Sequence, residues 1–214
     1  MTTLADLKAA IADEVDDDTG EYGDQITKAI QAAQRYCERS TYYFNETRDQ
    51  TFVTVSGQQW YTTADNANIP TLVRIQALYS VDSAGQSNEM TREPPEVLES
   101  LSDSSASRGE PFCWTYFNQK IRLYPIPGAT VYTIRMQLGP YRLTTLSAVG
   151  DTNAWLSEAY DLIKARAKYI LQKDVLKDAS LAAEALNDWR DQDIALAAET
   201  SSRIGTGKIR PTCF

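Results

Sequence analysis

DQITKAIQAAQRYCERSTYYFNETRDQTFVTV, residues 24–55, changes its hydrophobic period part-way along, and that change decides the fold. Up to Ser40 the side chains Ile26, Ile30, Ala33 and Cys37 recur at i, i+4, i+7 and i+11, the stripe of an amphipathic helix that Asp24 is placed to cap. Tyr42, Tyr43 and Phe44 follow as an aromatic cluster. From about Thr51 the period is two, the period of a pleated strand. The segment TFVTVSGQQWYTT reads as a hairpin turning at Ser56 and Gly57.

Further along, strand-like alternation resumes through Val73, Ile75, Ala77 and Tyr79. Residues 82–111 are polar, and within them PPEVLESL can start a short helix behind Pro94 and Pro95. PFCWTYFNQKIRLYPIPG predicts a hairpin turning at Asn118 and Gln119, and VYTIRMQLGPYRLT a last long strand. Helical spacing returns at Asp151 or Asn153, either a good N-cap. Trp155, Ala159, Leu162, Ile163, Arg166 and Ile170 mark one helix to about Lys177. Ala179 to Thr200 predicts another, with Leu181, Ala182, Ala185, Leu186 and Trp189 on one face. Toward the N-terminus, Leu4, Leu7, Ala10 and Ile11 give a first helix capped by Thr3 and ending near the Asp-rich run before Gly20.

The stripes of these terminal helices are buried only if the helices pack on one another. The expected fold is α+β, a helical bundle built from N- and C-terminal helices with an inserted antiparallel β subdomain and an extended C-terminal arm. The segments are 1–48 for the N-terminal helices, 49–148 for the β-rich insert, 149–200 for the C-terminal helices and 201–214 for the arm.

Composition removes several function classes. The 214 residues hold no histidine, which excludes Ser-His-Asp and Cys-His catalysis and most transition-metal sites. Cys37, Cys113 and Cys213 lie far apart, a poor zinc set and the pattern of reduced thiols made in a cytosol. The net charge of −8 argues against a nucleic-acid reader, which needs clustered Lys and Arg, though not against a wall past which DNA slides. No apolar run approaches the roughly 20 residues that span a bilayer. The first residues, MTTLADLKAAIADEVDDD, have neither the basic nor the apolar region of a signal peptide.

Candidate chemistry is sparse. Asp16, Asp17, Asp18 and Gly20 superficially look like a calcium loop, but an EF-hand counted from Asp16 would place Gly20 and Thr27 where acidic ligands are required. A solvated acidic turn is the plainer reading. Glu93, Glu96, Glu99 and Glu110 could supply a carboxylate pair for glycoside hydrolysis, yet none sits in a distinctive motif. No phosphate-binding glycine loop or nucleophile elbow occurs. Phe112, Trp114 and Tyr116 alternate with Cys113, Thr115 and Phe117, so that strand is bulky on both faces. It fits either a core strand or a protein contact.

The final residues 201–214, SSRIGTGKIRPTCF, carry +3 from Arg203, Lys208 and Arg210, on a chain whose remainder carries −11. Gly205, Gly207 and Pro211 oppose a helix there, and Ile204, Ile209 and Phe214 are too sparse to bury one another. The segment reads as a docking arm or as a frayed end.

Order and spacing together resemble a family. ITKAIQAAQRYCERSTYYFNETRDQTFVTVSGQQWY is similar to the opening of tailed-phage head-to-tail adaptor (connector) proteins, in which an amphipathic helix leads through an aromatic-Asn-Glu turn, here Tyr43 to Glu46, into a first strand. KIRLYPIPG resembles their strand closed by a Pro-x-Pro turn. The helix pair NAWLSEAYDLIKARAKYILQKDVLKD and AEALNDWRDQDIALAAE, with a basic tail behind it, looks like theirs also.

The resemblance implies a non-enzymatic virion structural protein in the neck between capsid and tail, assembled in the host cytoplasm. It implies a self-associated ring, typically a dodecamer, that docks on the portal, joins a downstream tail or neck protein and continues the channel through which DNA passes without specific binding. No cofactor, metal, catalytic residue or membrane contact is expected. The arm residues expected to bind the portal are Arg203, Ile204, Lys208, Ile209, Arg210 and Phe214, the basic ones pairing with acids and the apolar ones filling pockets between portal subunits. The alternatives are a virion-associated carboxylate glycosidase acting on cell wall, and a cellular β-rich binding module on a helical platform, which would have no need of the arm.

Overall fold

A computed structural model of the chain describes residues 2–71, 74–82, 85–101 and 107–204. In chain order the elements are α1 (Leu4–Glu14), α2 (Gly23–Cys37), β1 (Thr47–Val53), β2 (Trp60–Tyr61), β3 (Ile75–Val81), β4 (Ser87–Glu89), β5 (Thr91–Arg92), α3 (Pro95–Glu99), β6 (Cys113–Phe117), β7 (Lys120–Tyr124), β8 (Thr133–Leu138), α4 (Ala154–Glu158), α5 (Tyr160–Leu171), a π-helical turn (Gln172–Leu176) and α6 (Ala179–Ile204). Two compact units result, Met1–Phe44 with Leu143–Phe214, and Asn45–Arg142. The architecture is the expected helical bundle with an inserted β subdomain.

In the helical unit the predicted stripe of α2 is buried throughout, with Ile26, Ile30, Ala33 and Cys37 between 0 and 2 % exposed. These side chains meet Leu4, Leu7 and Ile11 of α1, and Trp155, Leu162, Ile163 and Leu171 from α4 and α5. Thr3 caps α1 in a capping box with Asp6. The free N–H groups of Leu4 and Ala5 donate to the carbonyls of Asp151 and Val149 at 2.9 and 3.1 Å, so the helix start is satisfied by the chain returning from residue 149.

Asp24 is not the cap of α2. It lies in the first turn, while Asp17 organises the approach, its carboxylate accepting the N–H groups of Glu21 and Tyr22 at 2.9 and 3.0 Å. The single helix expected from Trp155 to Lys177 is interrupted at Ala159 (φ −139°, ψ 36°) and ends through the π-helical turn at Lys177, whose φ of 60° stops further helix. On α6, Ala182 and Ala185 are buried as expected, whereas Leu181 is 44 % exposed.

The β unit is two four-stranded sheets, ordered β1-β8-β3-β4 and β2-β7-β6-β5. All pairings are antiparallel except the short β5–β6 contact. One core serves both sheets, including Phe52, Leu78, Ile134 and Met136 from the first and Tyr61, Trp114, Ile121 and Leu123 from the second. The β6–β7 hairpin turns at Asn118 and Gln119, both with positive φ (50° and 62°), as a two-residue primed turn requires. Met90 carries the chain from one sheet to the other. Its N–H donates to Leu78 at 2.9 Å, and its carbonyl accepts the Trp114 indole N–H at 3.1 Å.

Two strand expectations are corrected. TFVTVSGQQWYTT is no hairpin, because β1 pairs with β8 and β2 with β7. The turn residues make a corner between sheets, in which the Tyr61 hydroxyl accepts the Val55 N–H at 3.0 Å and meets the Gln58 carbonyl at 3.0 Å, while the Gly57 N–H donates to Pro127 at 2.9 Å. In β3 the register slips between Ile75 and Ala77, so the buried residues are Ile75, Leu78 and Ser80 and not Ala77 and Tyr79. Val73 lies outside the described residues.

Candidate functional site at the root of the C-terminal arm

The helix α6 does not stop at Thr200 but runs to Ile204. Its last turn packs on the aromatic turn that follows α2. The Arg203 guanidinium sits 3.8 Å from the Tyr43 ring centroid and pairs with Glu199 one turn back. The Tyr43 hydroxyl donates to Glu158 Oε2 at 2.5 Å, and the Tyr43 N–H donates to the Thr200 hydroxyl at 3.4 Å. Tyr42, 2 % exposed, donates its hydroxyl to Asp193 Oδ1 at 2.5 Å. Phe44 lies edge-on to Trp155 at 4.8 Å. Burial and then the adjoining Glu158 carboxylate push the Tyr43 phenol up to about 12, so it stays a protonated donor through the physiological range. Thus Tyr42, Tyr43 and Phe44 tie the turn after α2 to α4 and to the later turns of α6. Sequence reading noticed the aromatic run but had no signal for Glu158, Asp193 and Thr200, more than a hundred residues away.

Of the expected arm residues, Arg203 is placed by this clamp and Ile204 ends the helix. Lys208, Ile209, Arg210 and Phe214 lie outside the described residues.

Between α5 and α6 run two adjoining clefts of about 160 and 270 Å³, which share Asp161 and Gln192. Glu158 and Glu199 line the first; Asp188, Asp191, Lys164 and Lys168 line the second. Both lysines are engaged, with Glu14 3.0 Å from Lys164 and 2.5 Å from Lys168.

Two of the four carboxylates considered for hydrolysis have structural partners. Glu99 pairs at 2.5 Å with Arg122, and Glu110 accepts the Ser80 hydroxyl at 2.8 Å. Among the described residues no group of three or more His, Cys, Asp or Glu is placed to hold a metal ion. On the aromatic strand Trp114 and Thr115 are buried, while Phe112 and Phe117 at its ends are 58 and 60 % exposed. The centre is core and the ends are surface.

The sequence model of the SU10 adaptor protein family matches residues 2–210, nearly the whole chain. The chain belongs to this family. No curated protein matches it. The adaptor's role is structural, joining head to tail in the virion. No helix among the described residues is long and apolar enough to cross a membrane.

Proposed function

We propose that the adaptor closes into a ring, a dodecamer, in the neck of the virion after assembly in the host cytoplasm, that it grips the portal with the arm beyond Ile204, and that it carries a downstream tail or neck protein on its other side. DNA passes through the ring without specific binding and the adaptor performs no catalysis. The observation that supports this reading best is the clamp of Arg203, Tyr43, Glu158 and Glu199. It fixes the point on the helical unit from which the arm departs. Lys208 and Arg210 then pair with acidic portal side chains, and Ile209 and Phe214 fill pockets between portal subunits. The negative balance of the rest of the chain repels the duplex and keeps the channel from holding it.

The test is a variant ending at Ile204, so that the clamp stays intact. In a pull-down with the portal ring purified from the same phage, it should lose binding while its circular dichroism matches that of the full chain. Portal binding at full strength by the truncated protein would remove the arm assignment.

A further inference from the structure

The helical unit carries two charged surfaces of opposite sign on the two flanks of α6, and Trp189 divides them. Successive helical residues are separated by about 100°. Asp188 and Arg190 therefore face opposite ways from Trp189, and all of Asp188, Asp191 and Arg190 are exposed. On one flank Asp188 and Asp191 line the cleft with Asp161, Gln192 and the two lysines Lys164 and Lys168, whose charges Glu14 and Asp161 engage, so Asp188 and Asp191 supply its unmatched charge. On the other, the Arg166 guanidinium is enclosed by the rings of Tyr36, Trp189 and Tyr169 at 3.8, 4.8 and 4.9 Å, and its buried Nε has no hydrogen-bond partner among the described residues. Arg39 lies 5.6 Å over the outer part of this cluster, on Tyr36, which is 39 % exposed.

Glu38 and Asp193, which with Arg166 act on the buried Cys37 thiol, are engaged within the helical unit. Glu38, 3 % exposed, accepts from Gln34 and the Leu143 N–H, and Asp193 is bonded to Tyr42. Among the described residues none of Arg39, Arg190, Asp188 and Asp191 takes part in an ion pair. Among the described residues both flanks thus hold charge without an ion partner, one cationic and aromatic, the other anionic and concave. Aromatic residues and arginine are the types enriched at the centres of protein interfaces.

We infer that these flanks are the two halves of the subunit contact, the Arg39–Arg166–Arg190 face of one adaptor seating against the Asp188–Asp191 cleft of the next. The occupant of each surface is a second copy of this chain. Two different patches in contact make a heterologous interface, which repeats in one direction and closes when the rotation permits. The inference rests on the ring reading and says which surfaces build it.

Charge reversal with mixing tests it. One protein carries Arg39→Glu and Arg190→Glu, a second carries Asp188→Lys and Asp191→Lys; all four positions are exposed, and near-ultraviolet circular dichroism checks that the fold is kept. Self-association of each full-length protein is followed by sedimentation equilibrium up to high concentration. Each variant alone should associate at least about tenfold more weakly than wild type, since like charges then face each other. An equimolar mixture should recover wild-type association, because every contact in an alternating assembly again joins opposite charges. Variants that associate as tightly as wild type, or a mixture no better than either alone, would leave the ring standing and remove this interface. A wild-type chain that stays single at every concentration would remove the interface together with the self-association on which the ring reading depends.

Discussion

Gln34→Leu should cost the adaptor about 2–3 kcal/mol, although leucine is close to glutamine in volume and fits an apolar stripe. The carboxamide is 1 % exposed on α2. Its Nε2 donates to Glu38 Oε1 at 2.8 Å and to the Thr144 carbonyl at 3.1 Å, and its Oε1 accepts the Leu146 N–H at 3.3 Å. These bonds hold residues 143–146 against the helix as the chain returns from the insert. Three bonds at a net value of about 1 kcal/mol each give about 3 kcal/mol; the buried Leu146 N–H loses this acceptor, while the Thr144 carbonyl keeps the Asn153 carboxamide at 2.7 Å. Added apolar burial offsets about 1 kcal/mol of that. The loss should appear as a lower urea midpoint and a melting temperature reduced by about 10 °C. It should also appear as faster hydrogen exchange at the amides of Leu143 and Leu146. Gln34→Glu should be worse at neutral pH, because its carboxylate would meet the Glu38 carboxylate and the Thr144 carbonyl. The fold would raise the pKa of that new acid, so the variant should regain stability as the pH falls. A Gln34→Leu protein within about 0.5 kcal/mol of wild type, with both amides still protected, would refute the reasoning.

Glu14→Gln should destabilise the contact of α1 with α5 by less than about 1 kcal/mol, because Glu14 is a third exposed and the pair is screened. Burial alone would raise the Glu14 pKa, but hydrogen bonds from Lys168 and Lys164 outweigh it and hold the carboxyl below its ordinary value. A depressed folded pKa gives stability that is present above the unfolded value and lost as the pH falls through the folded one. The difference between wild type and Glu14→Gln in urea titrations should therefore shrink on acidification, and a difference that grows would contradict the bridge. Burial pushes the Cys37 thiol up to about 12, so Cys37 should resist a maleimide or disulfide reagent at pH 8 and react only at the rate of unfolding, read by peptide mass spectrometry.

What could be read from the sequence was whatever a single element decides by its own periodicity. The α2 stripe was legible because four apolar residues at helical spacing can share only one face. The β6–β7 hairpin was legible because Asn and Gln at its turn separate two aromatic or aliphatic runs. The corner at Ser56 and Gly57 was misread for a physical reason: turn chemistry fixes a local reversal but not which partner each strand finds, and β8 and β7 come some eighty and sixty residues later. The β3 slip moves every following side chain to the other face, and only the partner strand specifies it. Ala159 carries no helix-breaking chemistry of its own, so the break between α4 and α5 had no sequence signal. Asp17 read as part of a solvated acidic turn and Gln34 carried no signal, because their backbone partners are arranged by the fold and not by sequence spacing.

The arm shows the same boundary between local and tertiary causes. Gly205, Gly207 and Pro211 oppose a helix where they stand, outside the described residues, but Ser201, Ser202, Arg203 and Ile204 contain no breaker, and α6 uses them for its last turn. Arg203 there is doubly placed. A cation in the final turn faces the negative end of the helix dipole, and its guanidinium covers Tyr43 while pairing with Glu199. Its charge is thereby committed within the chain. Of the +3 carried by residues 201–214, +2 belongs to Lys208 and Arg210, outside the described residues. The basic tail therefore divides into two functions that composition alone had merged. On the proposed portal-binding reading, Arg203 sets where the arm departs, and the electrostatic part of the grip would fall to Lys208 and Arg210.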